Sequence, residues 1–279
     1  MSQDQNAELS VTVPASEAYA KSEAAKKRFI LEQLVGKDFK RKYRRSVLGV
    51  VWSVLNPLLM MVVMSLVFSF FLRYDNIEHY PLYLILGNVI WQVFADSTNQ
   101  GVTSILDAAP LLKKVRIKKT VFPAERVLFS LVNFAFSLVA VLLVMLYEGV
   151  TPSWTMLMLP ILLVLLLGFC LGMSLILSSL AVYFRDVIHL WSVVLTAWNY
   201  MTPIFWPSTM IGSVPYGFMR VIMLANPMYN YVTFMRMTWL NGMVPEPITI
   251  AMCVFWAVVA LAGGYFVFNK LQRKFILYI

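Results

Sequence analysis

The sequence predicts an all-α integral membrane protein: six transmembrane helices, an N-terminal amphipathic interface helix, and short re-entrant or interfacial helices between spans five and six. Three observations predict it. With 60% hydrophobic residues, 13% charged residues and a mean hydropathy of +0.73, the 279-residue chain is too apolar for a soluble domain. Apolar runs long enough to span a bilayer recur along the chain. Lys and Arg also divide unequally between alternate connections: twenty fall on one side, and only Arg73, Arg220 and Arg236 on the other. Basic residues are retained in the cytoplasm, so this division puts both termini there.

The net charge of +9 follows from that division. The cations flank apolar spans instead of forming a basic face with aromatic platforms, which argues against nucleic acid as a partner. Cys170 and Cys253 fall inside apolar spans and read as small buried hydrophobes. No short apolar core followed by a cleavage site opens the chain, so the first span is expected to target the protein itself.

Residues 1–25 are Ser-, Ala- and Glu-rich and read as a flexible cytoplasmic tail. Residues 26–45 change character. Leu31, Leu34, Val35, Phe39 and Tyr43 recur at helical spacing opposite Lys37, Lys40, Arg41, Lys42, Arg44 and Arg45, the pattern of a helix lying among anionic headgroups.

The first span is expected over 46–72. Its 27 uncharged residues would reach roughly 40 Å as a helix, with a kink at Asn56-Pro57 that neighbouring helices must compensate. The second, 81–106, carries Asn88, Gln92, Asp96, Asn99 and Thr103 at steps of four, four, three and four, within about an 80° sector. Lipid would leave such a stripe unpaired, so it faces either a translocation path or a polar helix contact.

The basic island 107–126 follows, read as a cytoplasmic loop. The third span, 127–147, has Ser130, Asn133 and Ser137 on one side. The fourth, 154–184, contains Gly168-x-x-x-Gly172 and Ser174-x-x-x-Ser178, spacings for close helix approach. Span five is expected over 187–205, with Ser192, Thr196 and Asn199 opposite Trp191 and Trp198. The segment 206–247 holds five prolines and apolar pieces too short to cross. Span six, 248–269, precedes a basic, then apolar, end. Together 46–279 form one transmembrane domain.

Recognisable catalytic chemistry is missing. Gly36-Lys37 is followed by Asp38 and lacks the upstream glycine of a phosphate-cradling loop. No H-E-x-x-H, nucleophile elbow or Cys/His metal set occurs, so no catalytic or metal-ligating residue is nominated and the chain is not expected to be an enzyme. Several intramembrane ionisable groups and an internal repeat, common in secondary transporters, are also lacking.

Specific stretches resemble the membrane subunit of ABC-2 type exporters, the permease family for polysaccharide, O-antigen and teichoic acid. They are KYRRSVLGVVWSVLNPLL (42–59), LLKKVRIKKTVFPAERVL (111–128), LAVYFRDVIHLWSVVLTAWNYMTPIFWP (180–207), the NP-x-Y at 226–229 and KFILYI at the end. The likeness runs from about residue 26 onward. It implies a homodimer with two copies of a separate nucleotide-binding subunit, which would hold ATP and Mg while this chain binds no cofactor. The cargo it implies is a lipid-linked glycan moved outward through a bacterial inner membrane.

The resemblance further implies that the island carries an ATPase-coupling helix, here Leu111, Leu112, Lys113, Lys114, Val115, Arg116 and Ile117. It also implies outer gate helices in 206–247, here with Trp206, Pro207, Pro215, Tyr216 and Phe218. Candidates for the path are Asn88, Gln92, Asp96, Asn99, Asn133, Thr196 and Asn199. Arg41, Arg44 and Arg45 are candidates for the pyrophosphate head group, with general headgroup attraction as the alternative. Rival readings are an ABC-2 drug or lipid exporter, a stand-alone channel, and an intramembrane enzyme acting on lipid-linked sugars; the last would need a nucleophile or paired acids.

Overall fold

The computed structural model describes residues 25, 28–40, 49, 51–67, 79–115, 117–213 and 215–279. Residues 1–24 of the expected tail, Arg41, Arg44, Arg45 and Arg116, and both ends of the first expected span lie outside the described residues. Among the described residues the secondary structure is helical, with no strand. Helix α1 covers 28–40, α2 Val51–Val67, α3 Tyr80–Asp107, α4 Ala109–Leu112 and α5 Val121–Tyr147. A 3-10 turn, Trp154–Met158, leads into α6, Leu159–Tyr183, and α7 is Val187–Met201. Beyond a second 3-10 turn, Ser208–Ser213, come α8 (Gly217–Ala225), α9 (Pro227–Trp239) and α10 (Pro247–Leu271), with a last 3-10 turn at Gln272–Leu277.

Proline sets many of these starts. Pro81, Pro160, Pro227 and Pro247 sit in the first turns of α3, α6, α9 and α10, where a missing N–H costs nothing. The third expected span begins six residues early for a similar reason: Pro123 is tolerated in the first turn of α5, so Glu125 and Arg126 become helical. The expected fifth span ends four residues early, because Thr202 is extended ahead of Pro203. The basic loop is thereby shortened to a one-turn helix and the turns up to Thr120.

Among the described residues, three stretches are long and apolar enough to cross a membrane by themselves: Val121–Tyr147, Trp154–Tyr183 and Pro247–Phe275. The apolar helix α2 is shorter, at 17 residues, and α7 has 15. Helix α3 has 28 residues, and its polar stripe lowers its hydropathy below that of its neighbours.

Helix α6 runs along α10 and packs against α3. A Cβ at Gly172 would collide with the Ala260 carbonyl of α10, while one at Gly168 would meet only Ala257, 3.8 Å away. The Gly168/Gly172 pair therefore works through one member. Ser174 Oγ donates to the Ser97 carbonyl of α3 at 3.0 Å, and Gly101 gives it room. Ser178 bonds back within its own helix, to Leu175. Phe94 of α3 lies at the centre of an aromatic cluster, with Phe169 5.4 Å and Trp198 5.1 Å from it between ring centroids.

Candidate functional site

The polar stripe of α3 opens on a cavity of about 360 Å³ between α2, α3 and α5. Helical spacing of four puts Asn88, Gln92 and Asp96 on that wall. Asn133 and Ser137 line it from α5, and Trp52, Ser53, Asn56, Pro57 and Met60 from α2. Gln92 Nε2 donates to Asp96 Oδ1 at 2.8 Å, which fixes the direction of both side chains.

The wall contributed by α2 depends on Pro57. A proline inside a helix has no N–H for the carbonyl four residues earlier, here that of Ser53. Ser137 Oγ reaches across from α5 to that carbonyl at 3.5 Å and also donates to Asn133 O at 3.1 Å. Helix α5 thus brings one hydroxyl within reach of the carbonyl that Pro57 leaves without its helical donor.

Four of the seven path candidates, Asn88, Gln92, Asp96 and Asn133, meet in this cavity. Asn99 is exposed further along α3 and outside it. Thr196 and Asn199 stand on α7, also outside, and Thr196 Oγ1 bonds back to Ser192 O at 3.0 Å. Trp52, Ser53, Asn56 and Ser137 were not nominated as path residues. The signal was present, since Trp52, Ser53, Asn56 and Met60 recur at helical spacing on α2.

At the other end of α3, a buried guanidinium organises an irregular segment. Arg236 of α9 donates from Nη1 to Pro203 O at 2.6 Å, from Nη2 to Ile204 O at 2.9 Å and Tyr83 O at 3.1 Å, and from Nε to Tyr83 O at 3.3 Å. It also lies 3.3 Å from the centre of the Tyr83 ring. The hydroxyls of Tyr80 and Tyr83 donate to the carbonyls of Phe205 and Trp206, at 2.7 and 2.9 Å. Counted by sequence as a loop cation, Arg236 is instead a packing device for the backbone turned out by Pro203.

Among the gate candidates, Trp206 is half-buried and donates to Tyr200 O at 3.2 Å. Pro207 precedes the 3-10 turn. Pro215, Tyr216 and Phe218 are exposed at the start of α8, a helix with no buried residue, and the last two rings stand 6.0 Å apart.

The basic loop closes the opposite end of the bundle. Leu112 is buried in a second apolar cluster with Ile105 of α3, Ala108 just after it, Phe122 of α5, Leu175 and Val182 of α6, Phe268 of α10 and Phe275. Ile117 and Leu34 of α1 pack on it. Leu111, Lys113, Lys114 and Val115 are exposed around this anchor. The one-turn α4 buries one leucine, and Lys113 and Lys114 just after it face outward.

Two clasps tie the loop to both ends of the chain. Lys119 Nζ donates to Gln272 O at 2.6 Å and lies 5.5 Å from the Phe275 ring centre; partial burial holds its pKa below the usual lysine value. The tail is held further by Tyr183, whose hydroxyl donates to Leu271 O at 2.8 Å and whose ring packs 4.7 Å from Tyr278. At the other end Arg126 pairs with Asp38 of α1, with Glu125 at 3.3 Å and Asp107 at 3.7 Å. The rings of Phe39 and Phe136 stack at 5.8 Å beside it. As the periodicity of α1 implies, Leu31, Leu34, Val35 and Phe39 are half-buried and Lys37 and Lys40 exposed.

The ABC-2 type transporter family profile matches residues 31–240 of this chain. The chain is 32% identical over 249 residues to an O-antigen export system permease protein RfbA of Myxococcus xanthus, covering 89% of this chain and 94% of that one. It is 30% identical over 247 residues to an O-antigen export system permease protein RfbA of Klebsiella pneumoniae, covering 88% and 93%. A capsule polysaccharide export inner-membrane protein CtrC of Neisseria meningitidis is 24% identical over 170 residues, covering 59% and 63%.

Proposed function

The chain belongs to the ABC-2 type transporter family, and from that premise we propose that it is the permease subunit of an ATP-driven exporter of a lipid-linked surface polysaccharide. The cargo would be of the O-antigen or capsule class that its relatives' names carry. A teichoic acid, a polymer of polyol phosphates, would be the second cargo class. Helices α2, α3, α5, α6, α7 and α10 would be the six spans, both termini cytoplasmic, in a homodimer joined to two nucleotide-binding subunits that hold ATP and Mg. Residues 206–247 would gate the outer side. Arg41, Arg44 and Arg45 would meet the pyrophosphate head of the carrier.

The observation that carries this reading is the loop at Ala109–Thr120. It exposes Lys113, Lys114 and Lys118, while Leu112 and Ile117 pack in an apolar cluster that joins α3, α5, α6, α10 and α1. A soluble subunit pushing on such a loop acts on five helices together. A drug exporter of the same class would be expected to present an apolar cavity; the carboxamides around Asp96 favour a polyhydroxylated cargo.

The test is affinity purification in mild detergent of the wild type and of a variant with Leu111, Lys113, Lys114 and Arg116 replaced by alanine. A co-purifying ATPase that is lost from the variant supports the coupling role. Retention of the ATPase by the variant would remove that role, and absence of any ATPase from the wild type would overturn the exporter reading.

A further inference from the structure

We infer that the turn Gln272–Leu277 is a strap that carries movement of the basic loop into α10, with Lys119 and Phe275 as its positioning residues. The inference rests on the exporter reading, in which a separate ATPase pushes on that loop, and it names the route the push takes. A helix ends in carbonyls that have no partner inside it. At the end of α10 two of them are met from other elements: Tyr183 of α6 donates to Leu271 O at 2.8 Å, and Lys119 of the loop donates to Gln272 O at 2.6 Å. An ammonium suits that place, because the end of a helix carries partial negative charge.

Lys119 is bound on its other side as well. Its own carbonyl accepts from Phe122 N at 3.3 Å, so its backbone leads into the first turn of α5 while its side chain caps α10. One residue therefore joins the start of one helix to the end of another. Phe275 supplies the apolar half of the strap. Its ring is fully buried, set edge-on to Phe268 of α10 at 5.5 Å, and it shares a cluster with Leu112 of α4 and Phe122 of α5. Lys119 Nζ lies 5.5 Å from the same ring centre. Beyond the turn, Ile279 packs on that cluster and the Tyr278 ring stands 4.7 Å from Tyr183. The body of α10, by contrast, lies along α6 and α9. A displacement of Leu112 or Lys119 thus meets a close-packed, hydrogen-bonded end of α10, and such interiors pass displacement on instead of absorbing it.

The test compares transport with hydrolysis in proteoliposomes that hold the complete complex, permease and ATPase together. The cargo is lipid-linked polysaccharide extracted from membranes, and transport is read, with ATP added outside, as cargo moved to the lumen and out of reach of an impermeant sugar-labelling reagent. Lys119→Met keeps the length of the side chain and removes its donor. It should retain the ATPase and hydrolyse ATP within about twofold of the wild-type rate, while cargo moved per ATP falls about fivefold or more. Lys119→Arg, which can donate to the same carbonyl, should return that ratio to within about twofold of the wild type. Phe275→Leu keeps apolar bulk without the ring and should lower the ratio as Lys119→Met does; it is read alone should Lys119→Met fail to assemble.

A wild-type ratio in Lys119→Met and Phe275→Leu, even in proteins that melt lower, would make the turn a staple and overturn the strap. A parallel loss of hydrolysis and transport would do the same, since it places the defect in assembly instead of transmission, and so would a Lys119→Arg protein that stays uncoupled. A wild type that carries no ATPase overturns the exporter reading and the strap with it. The wild type alone therefore tells the two failures apart.

Discussion

Arg126 on α5 pairs with Asp38 of α1, 88 residues earlier, while Glu125 and Asp107 crowd the same guanidinium. One cation thus holds three carboxylates, two of them almost wholly buried, and fastens the N-terminal helix to the start of the helix that leaves the basic loop. Removing it deprives two buried acids of this counter-charge. Arg126→Ala should therefore cost about 3 kcal/mol or more, and Asp38→Asn less, since Glu125 and Asp107 still hold the arginine. A double-mutant cycle followed by unfolding in mixed micelles measures the coupling; additive effects of the two substitutions would rule out the clasp.

Arg236 makes a sharper case for geometry over charge. Lysine keeps the charge but loses the planar fork that reaches three carbonyls on two segments. Arg236→Lys should destabilise by about 2 kcal/mol, and Arg236→Met by more, because the carbonyls of Pro203 and Ile204 lose their buried donor. Gly87→Ala is the companion test: its Cβ would stand 2.6 Å from Arg236 Nη2 and should disturb the same network. Thermal shift in detergent checks all three, and an undisturbed Arg236→Lys protein would contradict the account.

Ser137 and Pro57 should depend on each other. With Pro57 present, Ser137→Ala removes the hydroxyl that reaches the Ser53 carbonyl and should cost up to about 1 kcal/mol. In a Pro57→Ala background the helix supplies its own N–H, so the serine should matter little. Equal costs in the two backgrounds, by chemical unfolding, would mean that Ser137 is not compensating the proline.

Two glycines one turn apart on α6 should behave differently. Gly172→Ala drives a methyl into the Ala260 backbone, which cannot yield without separating α6 from α10, so a loss of about 3 kcal/mol or outright misassembly is expected. Gly168→Ala finds open space beside Ala257 and should be neutral, or stabilising by a few tenths of a kcal/mol through helix propensity. Size-exclusion profiles and melting points of the two variants distinguish them.

These contrasts show what the sequence could carry. The stripe Asn88, Gln92, Asp96 was legible because helical periodicity is a local property, and the cavity it lines needed only a partner helix. Its partner on α2 was half legible: Asn56-Pro57 announced a kink, but which hydroxyl answers Ser53 depends on how α5 docks. The basic loop was visible as charge, although its anchoring residue Leu112 looked no different from exposed Leu111. Arg236 was not legible. A single arginine in an apolar neighbourhood reads as a marker of sidedness, and only the fold brings it to the backbone displaced by Pro203, 33 residues away.

That arginine also divides the labour at its end of the molecule. Bonds from one buried side chain to Tyr83, Pro203 and Ile204 tie the head of α3, the 202–206 segment and α9 together, and amide hydrogens there should exchange slowly. Helix α8 buries nothing and is linked to these segments by short connections on either side. If the passage widens there, the widening would work like a shutter hinged on a fixed frame: α8 swings, and the frame clipped by Arg236 keeps its shape.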